Sequence, residues 1–176
     1  HWGVARDVCA YLSHHDKKDI KPKLPITNSL KIDNTSFLID VKVENATACP
    51  RYSGISIDNV TIKESPNWLQ QKLKAIGLRP INNIVDITNY IQHETGQPLH
   101  AFDADAIYGR KIIVKNLPAG TRFVTLDEKE RTLSAEDLMI CDEKEGMCIA
   151  GVFGGLHSGV TEKTKNIFLE SAFFDG

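Results

Sequence analysis

The segment 166–174, NIFLESAFF, sets the tightest condition on how this chain can fold. Side chains alternate along a strand, so Phe168, Glu170, Ala172 and Phe174 share one face and Ile167, Leu169, Ser171 and Phe173 the other. Neither face is polar enough to meet water, and such a strand is buried from both sides. The same segment carries a carboxylate, Glu170, into that buried layer. A carboxylate there is costly unless donors reach it, which leaves two readings: a structural ion pair or capped loop, or an acceptor that faces a ligand.

The rest of the pattern divides into helices first and strands later. Val4, Val8 and Leu12 recur every four residues, as in a helix already under way at the first residue, which reads as a piece of a longer protein. A polar stretch over 13–29 reads as a surface connector. Alternation over 37–43 predicts a strand with Phe37, Ile39, Val41 and Val43 inward, and 52–62 a second strand region. SPNWLQQKLKAIG predicts a helix with Ser65 as N-cap, Pro66 at its first position, Gly77 beyond its end and Leu69, Leu73 and Ile76 buried. NNIVDITNYIQHETG predicts another, capped by Asn82 or Asn83, closed by Gly96, with Ile84, Ile87 and Ile91 on its inner face. From Lys111 onward short apolar segments alternate with turns. This order, without a repeating βαβ unit, predicts an α+β fold in a single domain over 1–176.

Composition removes several function classes. With 41% apolar and 25% charged residues the chain is of ordinary globular character, and no apolar run is long enough to cross a bilayer. The start lacks the basic and apolar regions of a secretory signal, so a cytoplasmic location is expected. A formal charge of −2 gives no general grip on a polyanion. Cys9, Cys49, Cys141 and Cys148 form no CxxC pair and have no histidine at zinc-ligand spacing, so they read as reduced, mostly buried thiols and no metal is expected.

Few residues remain that could carry chemistry. AGVFGGLHSGVT holds Gly151, Gly154, Gly155 and Gly159, either as tight turns with positive φ or as backbone that approaches a ligand closely; it is neither a Walker loop nor a Rossmann fingerprint. His157 and Ser158 are adjacent without a nucleophile elbow and do not read as a hydrolase pair. His100 reads as lying in a connection between two helical pieces, where it either caps a loop or serves a site. His93, in the last turn of a helix, is accounted for by the helix dipole. Thr88 and Asn89 are polar residues in mid-helix, Asn89 off the apolar stripe, with solvent exposure as the simplest account.

These same residues carry a family resemblance. NNIVDITNYIQHETGQPLHAFDADAI resembles the motif of bacterial phenylalanyl-tRNA synthetase beta subunits in which VVD-x-TNY and GQP-x-HAFD are contiguous, and GVFGGLHSGVTEKTKNIFLESAFF resembles their GG-x-x-SGV and LE-x-AFF motif. GVARDV near the start and CPRY at 49–52 are similar as well, so the resemblance covers essentially the whole chain. It implies the combined B3/B4 domain, a three-layer α+β structure with a β-sandwich core and flanking helices. In that family the domain hydrolyses Tyr-tRNA(Phe) formed by mischarging, at a site remote from the aminoacylation centre of the alpha subunit.

By motif, the resemblance implies that Glu170 accepts the tyrosine phenol and that His100 orients the ribose end or the attacking water. Asn89, with Thr88, would hold the amino-acid moiety, and Gly151 and Gly154 would offer backbone N–H groups and room for the ring. Water-mediated ester hydrolysis is the implied reaction, with no cofactor in this domain; ATP and Mg2+ belong to the whole synthetase. The implied partners are the acceptor end of tRNA(Phe), a tyrosine moiety and the alpha subunit, with no membrane. A TDAS-like segment follows the AFF strand in the family and helps to line the pocket, whereas this sequence ends at Gly176, so one side of the pocket is expected to be open. Two rival readings stand beside this one: a non-catalytic binding or scaffold module of the same fold, and a sensor of free amino acid.

Overall fold

The computed structural model describes residues 1–24 and 29–175. Part of the connector expected over 13–29, residues 25–28, lies outside the described residues. The N-terminal helix α1 (Trp2–Asp16) runs further into that stretch than its polarity predicts and closes at Lys17, whose φ of 54° is left-handed. Ser13 then ties the exit down, its hydroxyl donating to the Ile20 carbonyl and accepting the Ile20 N–H.

The remaining elements follow in the order β1 (Asp40–Val43), β2 (Arg51–Ile57), α2 (Asn67–Ala75), α3 (Asn83–Thr95), β3 (His100–Asp103), β4 (Lys111–Asn116), β5 (Arg122–Val124), β6 (Glu130–Thr132), β7 (Leu138–Cys141), β8 (Gly146–Ile149), β9 (Phe153–Gly154) and β10 (Ile167–Phe173). They form a five-stranded sheet in the order β1-β4-β7-β8-β9, a three-stranded sheet β2-β10-β3 and a small hairpin β5-β6. β1 lies parallel to β4, and the other pairs are antiparallel.

The strand that is apolar on both faces, β10, is the centre of the three-stranded sheet, but the expectation of burial from both sides is corrected: on the face away from the sandwich Ile167 is buried, Leu169 half-buried and Phe173 exposed. Phe168 and Phe102 pack from that sheet against Ile112, Val114, Ile140 and Cys148 of the larger one, and this face-to-face contact is the main core. On the other side of the large sheet, Met139 and Cys141 join Phe123 and Leu133 around the β5-β6 hairpin in a second core. The architecture is α+β, with helices flanking a sandwich of sheets.

Local details depart from the one-dimensional reading where tertiary contacts compete. α2 begins one residue late, with Pro66 at its N-cap, because the Ser65 hydroxyl donates to the buried Asp86 carboxylate instead of capping the helix. Its far end closes as a Schellman motif, with Leu78 N–H to Leu73 O, Gly77 N–H to Lys74 O and Gly77 at φ +84°. Leu69 and Leu73 are buried as expected, whereas Ile76 reaches the surface. In α3 the Asn82 cap and the Gly96 stop are as read, but the inner face is different. Ile87 is exposed while Asp86 and Thr88 are buried, because Asp86 accepts the Ser65 hydroxyl and the Ile81 N–H across the α2–α3 junction. The strand expected over 37–43 is shorter, and Val41 is exposed; Phe37, Ile39 and Val43 do pack on the core.

Candidate functional site

β10 brings Glu170 opposite His100 of β3 on one side and opposite Gly54 of β2 on the other. Directly opposed residues in an antiparallel ladder project from the same face. Glu170 and His100 therefore stand together on the sandwich side of the small sheet. The expectation that His100 sits in a connection between helical pieces is corrected here: it is the first residue of a strand, because 100–103 pairs residue for residue with 167–170.

Both groups are pushed towards neutrality. Burial raises the Glu170 carboxyl to about 7, with the Tyr52 hydroxyl pulling in the opposite direction through a 2.6 Å hydrogen bond to Oε2. No cation contributes among the described residues, so Glu170 is not the member of an ion pair. His100 is lowered to about 4 by burial, so its imidazole is neutral near pH 7. Its Nε2 is enclosed and has no hydrogen-bond partner among the described residues, while its ring stacks edge-on against Phe102 at 4.4 Å. An unsatisfied buried nitrogen on a neutral imidazole is a group that a water or a ligand hydroxyl can satisfy.

The two residues line a cleft of about 570 Å³ at the end of the sandwich, formed by the α3 exit, β3, the β8–β9 turn and β10. Gly151 and Gly154 line it too, so four of the six residues singled out from the sequence converge. The remainder of the lining is mixed, with Leu99, Val152, Phe153 and Phe174 beside Gln92 and Gln97. Of the four glycines in 151–159, Gly151 alone has a positive φ, 69°, so the expectation of a series of left-handed turns is corrected. Gly154 is there for space: a Cβ on it would lie 3.1 Å from His100 Cε1 and 3.0 Å from Leu126 Cδ1. A Cβ on Gly151 would meet the Phe174 ring at 3.2 Å.

Thr88 and Asn89 do not line this cleft. The Thr88 hydroxyl donates to the Val85 carbonyl within α3, a bond that accounts for its burial. Asn89 is half-buried and lies three residues before Gln92, a cleft residue, so the two share a helix face one turn apart. Sequence reasoning passed over Gln92 and Tyr52. Tyr52 had no signal of its own, since a tyrosine in an apolar strand is ordinary core; its contact with Glu170 is 118 residues away along the chain.

A second cavity, of about 420 Å³, lies on the hairpin side of the large sheet and holds none of the six residues. His157 and Ser158 line it, but the Ser158 hydroxyl donates to the Met147 carbonyl at 2.8 Å and makes no pair with His157. All four cysteines are free thiols, with Cys49, Cys141 and Cys148 buried and Cys9 half-buried, and among the described residues no acidic, histidine or cysteine cluster is arranged as a metal site. No helix among them is long and apolar enough to cross a membrane.

Comparison with known proteins shows the family of this chain. The profile of the family described as the B3/4 domain matches residues 48–176. The phenylalanine–tRNA ligase beta subunit of Bacteroides thetaiotaomicron is 59% identical over 174 residues, 99% of this chain. That of Porphyromonas gingivalis is 60% identical over 176 residues, and that of Carboxydothermus hydrogenoformans 46% over 173. The chain spans 21% of the length of each of these relatives. Among solved structures, an N-terminal fragment of the phenylalanyl-tRNA synthetase beta subunit from Pyrococcus horikoshii superposes with a TM-score of 0.62 at 14% identity, over 84% of this chain and 46% of that one, a likeness of fold. The chain belongs to the B3/4 domain family, in the form similar to that of phenylalanine–tRNA ligase beta subunits.

Proposed function

We propose that this chain is the editing domain of a longer cytoplasmic synthetase subunit, and that it hydrolyses the ester of tyrosine wrongly attached to tRNA(Phe). The observation that carries the reading is the pairing of buried Glu170 with unsatisfied His100 in one cleft. Phenylalanine and tyrosine differ by one hydroxyl, and an apolar pocket rejects such an addition weakly, so a second site that demands the hydroxyl is useful. Glu170 makes that demand. A phenol donating to it contributes about 1.5–3 kcal/mol, whereas a bound phenylalanine leaves the buried carboxylate short of a donor. A preference for tyrosine of at least ~10-fold follows.

The chemistry asked of the remaining residues is modest, because an aminoacyl ester is already labile. A neutral His100 accepts or donates one hydrogen bond at Nε2, to the attacking water or to a ribose hydroxyl, once the side chains that enclose this nitrogen yield to the substrate, and so orients the reacting group. Gly151 and Gly154 leave room for the ring and bring backbone close to the ester. Asn89 and Thr88, carried by α3 beside the cleft, are assigned to the amino-acid moiety through the family motif. The domain works without a cofactor of its own and depends on the rest of the subunit and on an alpha subunit to present the tRNA acceptor end.

Deacylation of Tyr-tRNA(Phe) by the full-length beta subunit assembled with its alpha partner tests the reading. His100→Ala and Glu170→Ala abolish or strongly reduce clearance, by at least ~10²-fold for His100. Clearance by both variants at the parental rate removes the site assignment. Tight binding of free tyrosine without any tRNA, measured by calorimetry, would instead favour an amino-acid sensor.

A further inference from the structure

We propose that Tyr52 is a positioning residue for specificity in this cleft: from within the small sheet its hydroxyl holds Oε2 of Glu170, which leaves Oε1 as the acceptor for the phenol of a ligand. The inference rests on the editing reading above and adds to it a residue that touches no substrate. Three observations lead to it.

First, the contact is built into the sheet. Tyr52 pairs with Ala172 and Glu170 with Gly54 along the β2–β10 ladder, so Tyr52 lies diagonally across from Glu170 on the same face, within reach of a long side chain. The Tyr52 ring packs against the main core, which fixes where its hydroxyl can point. Second, the other oxygen has no internal partner. Among the described residues no group donates to Oε1, and that oxygen is not among the sealed, unsatisfied atoms, so it keeps its opening to the cleft. A carboxylate has lone pairs for several donors, and one filled oxygen leaves the other free to select.

Third, a phenol is the donor that suits this task. The groups facing Glu170 are Tyr52 on β2, His100 on β3, Cys148 on β8 and Cys49 just before β2, and none of them is a cation at pH 7. A lysine or arginine here would neutralise the carboxylate and compete with a ligand's weaker donor. Tyr52 donates without cancelling the charge. Burial and the neighbouring carboxylate drive its own ionisation far above the usual phenol range, so it stays a donor at every working pH. Its hydrogen bond opposes the burial that would otherwise keep Glu170 protonated.

The experiment measures the ratio of Tyr-tRNA(Phe) to Phe-tRNA(Phe) deacylation between pH 6 and 9, in the full-length assembled synthetase, for the parent, Tyr52→Phe and Glu170→Gln. A ratio cancels the general effect of hydroxide on esters. The parental ratio should rise with pH through about 7, as Glu170 ionises. Tyr52→Phe should move that rise to higher pH, lower the ratio at pH 7 by about 10-fold and recover towards the parent by pH 9. Glu170→Gln should give a low ratio with no rise. A Tyr52→Phe profile that superposes on the parent overturns the proposal. So does a loss that is equal at every pH, including loss of both activities, because that is what a purely structural tyrosine would produce. Failure of the parent itself to clear Tyr-tRNA(Phe) is a different result, and it removes the editing reading on which the proposal rests.

Discussion

His100 and Glu170 oppose each other across the β3–β10 ladder, and burial moves them in opposite directions, the imidazole down to about 4 and the carboxyl up to about 7. Each is held in the form that carries less charge. The pair can therefore share one desolvated cleft without a counter-ion.

That relationship makes the stability of the fold respond to pH in a concealed way. Glu170, raised from 4.5, contributes stability that is fully present below pH 4.5 and is lost as pH rises through 7. His100, lowered from 6.5, contributes stability that is present above pH 6.5 and is lost as pH falls through 4. Between about pH 4.5 and 6.5 the two slopes oppose each other. Thermal unfolding of Glu170→Gln should then show stability rising with pH across this window, and His100→Gln should show it falling, each by up to the order of 3 kcal/mol. Parallel profiles in both variants would contradict the assigned shifts.

Gly54 packs against the end of the Phe168 ring, and a Cβ built on Gly54 would overlap its Cζ and both Cε atoms. Phe168 is fully buried in the main core. Gly54→Ala should cost about 3 kcal/mol through overpacking, read as a lowered denaturation midpoint. A midpoint equal to the parent's would mean that the ring has another place to go.

Gly154 separates His100 from Leu126. An added methyl at 3.1 Å from His100 Cε1 forces the imidazole to shift by a few tenths of an ångström, while Leu126 can yield on the other side. Gly154→Ala is thus expected to lower Tyr-tRNA(Phe) deacylation about 10-fold with a stability change under about 2 kcal/mol. Unaltered turnover would show that His100 tolerates displacement and weaken its role in orientation.

Asp86, fully buried, accepts the Ser65 hydroxyl and the Ile81 N–H and so joins α3 to the segments on either side of α2. Asp86→Ala strands both donors and should destabilise the protein by about 3 kcal/mol. Asp86→Asn retains one acceptor oxygen and should cost less. Equal stability of the two variants would show that the carboxylate is not what holds the junction.

Much of the fold is legible from local signals. The Asn82 cap, the Gly77 and Gly96 helix stops and the short strands after Lys111 all follow from residue types whose backbone preferences act over a few positions. The departures share one cause. Period or capping preference places Ser65, Ile87 and Val41, and each is overruled by a partner distant in sequence, or by the lack of one. QPL breaks the helix before His100 and makes it look like a connection, and only pairing with β10 makes it a strand.

Sequence alone determined that β10 carries Glu170 into a buried layer, because alternation puts it on the face of Phe168; the opposite face is covered only in part, since Phe173 is exposed. It also carried, through motif, the membership of the B3/4 family. The tertiary structure alone decided what meets Glu170. Strand register sets His100 across from it, Tyr52 on one of its oxygens and Gly154 against His100, and register depends on pairings between segments tens of residues apart or more, which no local preference encodes.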